Sequence, residues 1–199
     1  MAAIQHAARA TARGLAPRHA IAGSPRREAG EAFIAEIFRR RHGAELRSFA
    51  PNLVLMERSG RIAAAAGWRA AAEAPLFLES YLDAPVEVAV SRAAGHAVGR
   101  ERIVEVGHLA SDAPGGTVAV ILALASHLDR LGFEWVVFTA TDELISIFRR
   151  LALPPLAIAV ADPRRLGARA NDWGRYYDSR PVVVAGRIRL ALERAAPRD

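Results

Sequence analysis

Between Arg102 and Leu153 the chain reads RIVEVGHLA, SDAPGGT, VAVILALASHLDRLG, FEWVVFTAT and DELISIFRRLAL. This order spells a strand, a loop of small residues, an apolar helix, a second strand and a second helix. The stretch from Phe133 to Thr139 is nearly all apolar, as in a strand covered on both faces of a sheet. Strand–helix–strand order of this kind requires a crossover and layers of helix over sheet. The loop that opens the helix, Ser111 to Thr117, offers backbone N–H groups without intrahelical partners at a positive dipole end. Ser111, Pro114, Gly115, Gly116 and Thr117 therefore form a candidate site for a phosphate-bearing ligand.

The rest of the chain supplies the other layers. Glu28 to His42 places Phe33, Ile34, Ile37 and Phe38 at helical spacing and stops at Gly43. Asn52 to Glu57 and Arg61 to Trp68 read as strands joined by a hairpin at Ser59-Gly60. Small residues and Gly67 in the second strand allow close approach by a backbone or a ligand. A helix is predicted over Pro85 to Ala94, with Pro in its first turn. The next strand is Ile103 to Ala110, followed by a helix over Thr117 to Leu131 and a strand over Phe133 to Thr139. Asp142 is the expected cap of a helix reaching Leu151. Leu156 to Val160 and Pro181 to Ala185 read as short strands. The expected class is α/β (α+β), a mixed twisted sheet flanked by helices. The predicted organisation is a flexible basic arm over residues 1–27, a domain over 28–186 and a tail over 187–199.

Composition narrows the chemistry. The chain has 199 residues, 52% of them hydrophobic, enough for one sizeable core. It has no Cys, which excludes a disulfide framework, a thiolate metal site and a Cys nucleophile. Its His residues form no metal-ligand pattern, and no metal is expected. All 27 basic residues are Arg, giving a formal net charge of +6. The pI of about 11.0 attracts anions. Nucleic-acid binding is not expected, because no binding motif accompanies that charge. No apolar run reaches the ~18 residues that a membrane-spanning helix needs. The cytoplasm of a bacterium is the expected compartment, with a position peripheral to the membrane as the variant.

Three side chains stand out as catalytic candidates. Glu105 alternates with Val104 and Val106 in a strand, so it faces the opposite side. In a cleft, burial would raise its pKa toward the working range of a base; on a solvated face it would pair with Arg102. Glu79 sits in the apolar run LFLESYL, where a charge requires a partner or a task. His108 could relay a proton, or simply pack. Trp68 is a candidate for lining a substrate tunnel. Thr139 and Thr141 end a strand where open α/β sheets expose ligand contacts. Tyr177 and its neighbour Tyr176 are candidate contacts or proton donors from a late loop.

The order helix, hairpin, strand, loop, helix, strand, helix, strand, strand resembles the GNAT acetyltransferase superfamily. The resemblance implies that the loop Ser111 to Thr117 holds the pyrophosphate of CoA, and that backbone N–H groups near Gly107 to Leu109 face the oxyanion. SDAPGGT differs from the usual Gln/Arg-x-x-Gly-x-Gly/Ala pattern in its adjacent glycines and missing Arg. Phe148 stands in the region where many of these enzymes carry a Tyr acid. The insertion between hairpin and central strand is similar to that of acyl-homoserine-lactone synthases, although Glu105 lacks their following Arg. The phrases FLESYLDAPVE, RIVEVGHLA, GFEWVVFTAT and YYDSRPVVVAG resemble the bacterial thermostable hemolysin family over roughly residues 30–186. That family leads one to expect Asn where this chain has His108.

These resemblances imply an N-acyltransferase that takes an acyl group from acyl-CoA or an acyl-carrier-protein thioester. The acceptor would be a small amine or amino acid, and an acidic acyl carrier protein would be a partner. The competing expectation is a protein that lyses membranes directly and has no enzymatic activity.

Overall fold

The computed structural model describes residues 16–113 and 115–195. Seven strands form one sheet: β1 (Ala16–Ala20), β2 (Asn52–Arg58), β3 (Arg61–Ala70), β4 (Ile103–Ser111), β5 (Trp135–Ala140), β6 (Leu156–Val160) and β7 (Val182–Arg187). Their spatial order is β1-β2-β3-β4-β5-β7-β6. Only β4 and β5 run parallel; the other pairs are antiparallel. The helices are α1 (Pro25–His42), α2 (Val86–Ala94), α3 (Gly116–Arg130), α4 (Asp142–Arg150) and α5 (Ile188–Ala195). This is the mixed α/β sheet with flanking helices that the sequence predicts.

Strand β2 shows why the sheet needs two covering layers. Leu53 and Leu55 point to one face and pack with Ile34, Ile37 and Phe38 of α1. Val54 and Met56 point to the other and pack with Val120, Leu124 and Leu128 of α3. The alanines of β3 divide in the same way, Ala65 toward α1 and Ala64 and Ala66 toward α3. Their small side chains let both helices lie close to the sheet. Beyond α1, the first face is covered by a 3-10 turn (Phe77–Tyr81) and α2, whose Leu78, Tyr81, Val86 and Val90 meet Ile103, Val137 and Val183. On the second face Ile188 of α5 joins the α3 cluster. The β2–β3 hairpin turns at Ser59-Gly60, both with positive φ (50° and 78°), as a two-residue turn demands.

Several sequence-based boundaries are corrected. The basic arm expected over residues 1–27 contains a strand, because β1 pairs with β2 from Ala16↔Glu57 to Ala20↔Leu53. Arg18 and Arg26 both bind Glu57, which is buried at 7% exposure and fixes this edge. Residues 1–15 of the expected arm lie outside the described residues. The tail from residue 187, whose pattern predicts a weak amphipathic helix, is helix α5 over its described part, seated on α3. The cap of α4 is Thr141, whose hydroxyl accepts the Leu144 N–H at 3.4 Å; Asp142 is the first helical residue. No helix among the described residues is long and apolar enough to cross a membrane.

Candidate active site

The central parallel pair is short. β4 and β5 are paired only from Ile103↔Trp135 to Glu105↔Val137. Beyond Glu105 the strands part, while β4 stays paired to β3 up to Ser111 and β5 stays paired to β7 up to Ala140. The sheet therefore holds a cleft with Glu105 at its closed end. A cavity of about 640 Å³ occupies the cleft, within the ~300–1,000 Å³ range of ligand sites.

The cavity reaches both faces of the sheet. On the α3 side its walls are hydrocarbon, including Ile121, Leu124, Leu128, Phe138, Ile147 and Phe148. Phe148, standing where a Tyr acid was sought, packs on Phe138 with ring centroids 5.0 Å apart. On the α1 side the walls are aromatic and charged, with Trp173, Tyr176, Tyr177, Arg69, Arg169, Glu105 and His108 among them. One space thus joins an apolar arm to a polar arm through the parted strands.

Glu105 and His108 lie in the polar arm together because of one irregularity. Strict alternation would send residues three apart to opposite faces. The β3–β4 register runs from Ala65↔Ala110 to Gly67↔Gly107, which leaves one extra residue in β4. His108 has φ +53°, and the bulge turns its ring onto the face of Glu105. There it lies near Phe49 and Trp173, at centroid distances of 5.5 and 6.4 Å. Left-handed backbone at a non-Gly position is tolerated best by Asn, Asp and His. That accounts physically for both the Asn expected at this position and the His found there.

Glu105 is not paired with Arg102, which binds Glu134 at 2.8 Å. Its carboxylate accepts the N–H groups of Phe77 (3.0 Å) and Leu78 (2.9 Å). Burial raises its pKa, and these two N–H bonds and the charge of Arg69 offset part of the rise. His108 is held down to about 4, chiefly by burial and then by Arg69. Its ring is neutral at pH 7, and its buried Nδ1 has no hydrogen-bond partner.

Glu79 does not line the cavity. Arg100 grips both of its oxygens at 2.7 and 2.8 Å. It also accepts the N–H groups of Leu76 (2.8 Å) and Val86 (2.9 Å). The Arg100 guanidinium leads the effects that bring its pKa down to about 2. Glu79 thus staples the 3-10 turn whose backbone holds Glu105.

Trp68 lies on the other face, packed with His127 and Phe133 at 5.7 and 6.1 Å, away from the cavity. Alternation along β3 explains this: Gly67 faces Ala50 and His108, so Trp68 faces α3. Thr139 lines the cavity, and its carbonyl accepts the Tyr176 hydroxyl at 3.5 Å. Tyr177 also lines it, with its hydroxyl 2.5 Å from that of Tyr81. Burial leads the upward shift of both phenols. Tyr81, Trp173, Arg69 and Arg169 are cavity residues that were not singled out from sequence.

The Gly loop stands at the open end of β4. Ser111 and Thr117 line the cavity. Gly115 has φ +74°, a conformation that disfavours side chains. A Cβ on Gly116 would meet Ser111 Oγ, the Ala63 carbonyl and Ala64. The adjacent glycines thus answer different constraints, conformation at the first and space at the second. No side chain caps α3, so its first turn keeps N–H groups for a ligand. Pro114 lies outside the described residues.

A family model for thermostable hemolysin matches residues 21–192. No curated protein matches the chain. Among solved structures, the acyl-homoserine-lactone synthase LasI superimposes with a TM-score of 0.63 at 14% identity, covering 93% of this chain and 98% of that one. TofI, solved in a ternary complex with an inhibitor and MTA, gives 0.60 at 16% identity, covering 89% and 96%. FeeM, an N-acyl amino acid synthase from uncultured soil microbes, gives 0.57 at 11% identity, covering 92% and 95%. At these identities the likeness shows the fold alone, a mixed sheet flanked by helices.

Proposed function

The chain belongs to the thermostable hemolysin family, and from that premise we propose that it is an N-acyltransferase moving an acyl group from a thioester to a small amine or amino acid. The observation that carries this reading is the two-armed cavity through the β4–β5 cleft, with Glu105 at its closed end. An apolar arm suits a fatty acyl chain, and a polar arm suits a charged acceptor. The reacting carbon would lie where the arms meet, beside Gly107.

In this mechanism the amine nitrogen attacks the thioester carbonyl. The C–N bond forms, the C–S bond breaks, and the nitrogen loses a proton. Glu105 is the proposed base for that proton, placed by the Phe77 and Leu78 N–H groups and tuned upward by burial. Backbone N–H groups at the His108 bulge are the proposed oxyanion donors, since a bulge breaks the ladder and frees them to point into the cleft. The linked hydroxyls of Tyr177 and Tyr81 are the proposed proton source for the leaving thiolate. The Ser111–Thr117 loop is the proposed seat of the thioester's phosphate, and acyl-CoA or acyl carrier protein the donor. His108, neutral and buried, shapes the acceptor arm, and Thr139 lines it. Glu79 is a positioning residue that acts through the 3-10 turn, and Trp68 is packing.

The test is thiol release by the full chain from a panel of acyl-CoA and acyl-carrier thioesters, with pooled amines and amino acids. Acceptor-dependent release supports the reading. Its absence across the whole panel removes it.

A further inference from the structure

Two cations beside Glu105 in the polar arm bind no carboxylate among the described residues; a third, Arg41, donates to the Ser111 carbonyl at the Gly-loop end. Arg69 stands opposite Glu105 in the β3–β4 register. Among the described residues it nevertheless forms no ion pair, because the Glu105 oxygens accept from Phe77 and Leu78; Arg69 donates to the Pro75 carbonyl at 3.2 Å. Arg169 lies over the Phe77 ring at 6.0 Å and has no acidic partner among the described residues. Both line the cavity and flank the same segment, residues 75–77. Asp172, another acid of the cavity wall, is bound to Arg47 at 2.9 Å.

We infer that Arg69 and Arg169 form the carboxylate subsite for the acceptor, and that the acceptor is an α-amino acid rather than a neutral amine. The inference rests on the acyl-transfer reading and specifies its substrate class. An α-amino acid carries its carboxylate on the carbon that bears its amine. A carboxylate held by this pair therefore brings the amine to Glu105, the cross-strand neighbour of Arg69. The arginines also offset the repulsion between that carboxylate and Glu105. The thioester's phosphate has its own place at the Gly loop, six residues along β4 or about 20 Å at ~3.3 Å per residue. The two anions of the ternary complex are thus assigned to opposite ends of one strand. The reaction is balanced as thioester plus free amino acid giving N-acyl amino acid plus thiol. The proton lost by nitrogen passes to Glu105, the thiolate takes one from the tyrosine pair, and Glu105 returns its proton to that pair, so the net transfer is from nitrogen to sulfur.

The experiment pairs each proteinogenic amino acid with its carboxamide as acceptor for wild-type protein, over the same thioester panel. The expected kcat/KM for the carboxamide is lower on the order of 100-fold, the cost of losing charge-assisted bonds to two guanidinium groups. Arg69→Gln and Arg169→Gln should each raise KM for the amino acid about tenfold. They should leave KM for the thioester unchanged. Carboxamides used as well as amino acids overturn the subsite while acyl transfer stands. A rise in KM for the thioester instead would also overturn it, by placing the phosphate there. No acceptor-dependent release in any pairing removes both readings together.

Discussion

At the scale of single residues, two glutamates that look alike in the sequence are given opposite electrostatic fates. Each stands among apolar neighbours, so neither pattern nor propensity separates them. Only the fold places Arg100 on Glu79 and leaves Glu105 with two backbone N–H groups. Glu105→Gln should lower kcat by ~10²–10⁴-fold, the usual contribution of a positioned base. In wild type the acid limb of the kcat/KM profile should lie above the ordinary carboxylate range, because burial raises this group, with the rate rising as pH passes through the limb. A profile flat down to pH 4 would argue against the base assignment. Glu79 carries the opposite sign. Its folded pKa of about 2 lies below the unfolded value of ~4.3. The stabilisation it provides is fully present above the unfolded value and fades as pH falls toward the folded one. Glu79→Ala leaves Arg100 with Glu87 alone and takes the acceptor from the Leu76 and Val86 N–H groups, and should cost about 2 kcal/mol, read as a lower urea midpoint at pH 7. The difference between variant and wild type should shrink as the pH is lowered from 4.5 to 2.

At the scale of elements, most of the fold was legible where periodicity was strong. The helix of α1 shows its buried face in Ile34, Ile37 and Phe38, and β5 shows its double burial in an unbroken apolar run. Strand β1 was not legible, because its APRHA is exposed at four of five positions and lacks an apolar pattern. It exists through pairing with β2 and through Arg18 and Arg26 on Glu57, contacts from outside the segment. Of the aromatic wall, Tyr176 and Tyr177 are candidates from the sequence but Trp173 is not, for a related reason. NDWGRYYDSR reads as a polar turn, yet its Trp173 packs with Phe38 and Phe77, its Tyr176 with Phe38 and its Tyr177 with Tyr81. Three large aromatics in so short a loop were the available signal. The Gly loop was legible as the turn that opens α3, but the need for two glycines is set by its surroundings. Gly116→Ala must displace Ser111 or the β3 backbone at Ala63. It should raise KM for the thioester at least about tenfold, equivalent to ~1.4 kcal/mol of binding, while KM for the acceptor stays near the wild-type value. An unchanged thioester KM would separate this loop from phosphate binding.

At the scale of the whole molecule, the cavity unites elements that the sequence keeps far apart, from Ile37 to Ala191. Helices above and below the sheet each build one arm, and the short β4–β5 pairing joins them. Acyl-chain preference should therefore be set by the α3 side alone. Ile121→Phe, at a half-buried cavity position, should shift the optimum toward shorter chains and lower kcat/KM for the longest substrates about 10- to 100-fold, the effect of an obstructed methylene or two. Kinetics across a graded series of thioesters would measure this, and acceptor selectivity should not move. A shift in acceptor choice with no change in chain length would mean that the arms were assigned the wrong way round.

The extra residue in β4 also makes this strand a counting device. Glu105 and Ser111 occupy their present faces because one residue between them is not matched in β3. Substitution at His108 changes a side chain, but deletion there would restore strict alternation. Every position on one side of the cut would then exchange faces with respect to the other. The base end and the phosphate end of the strand could no longer serve one cavity together. In β4, length is as much a part of the chemistry as identity.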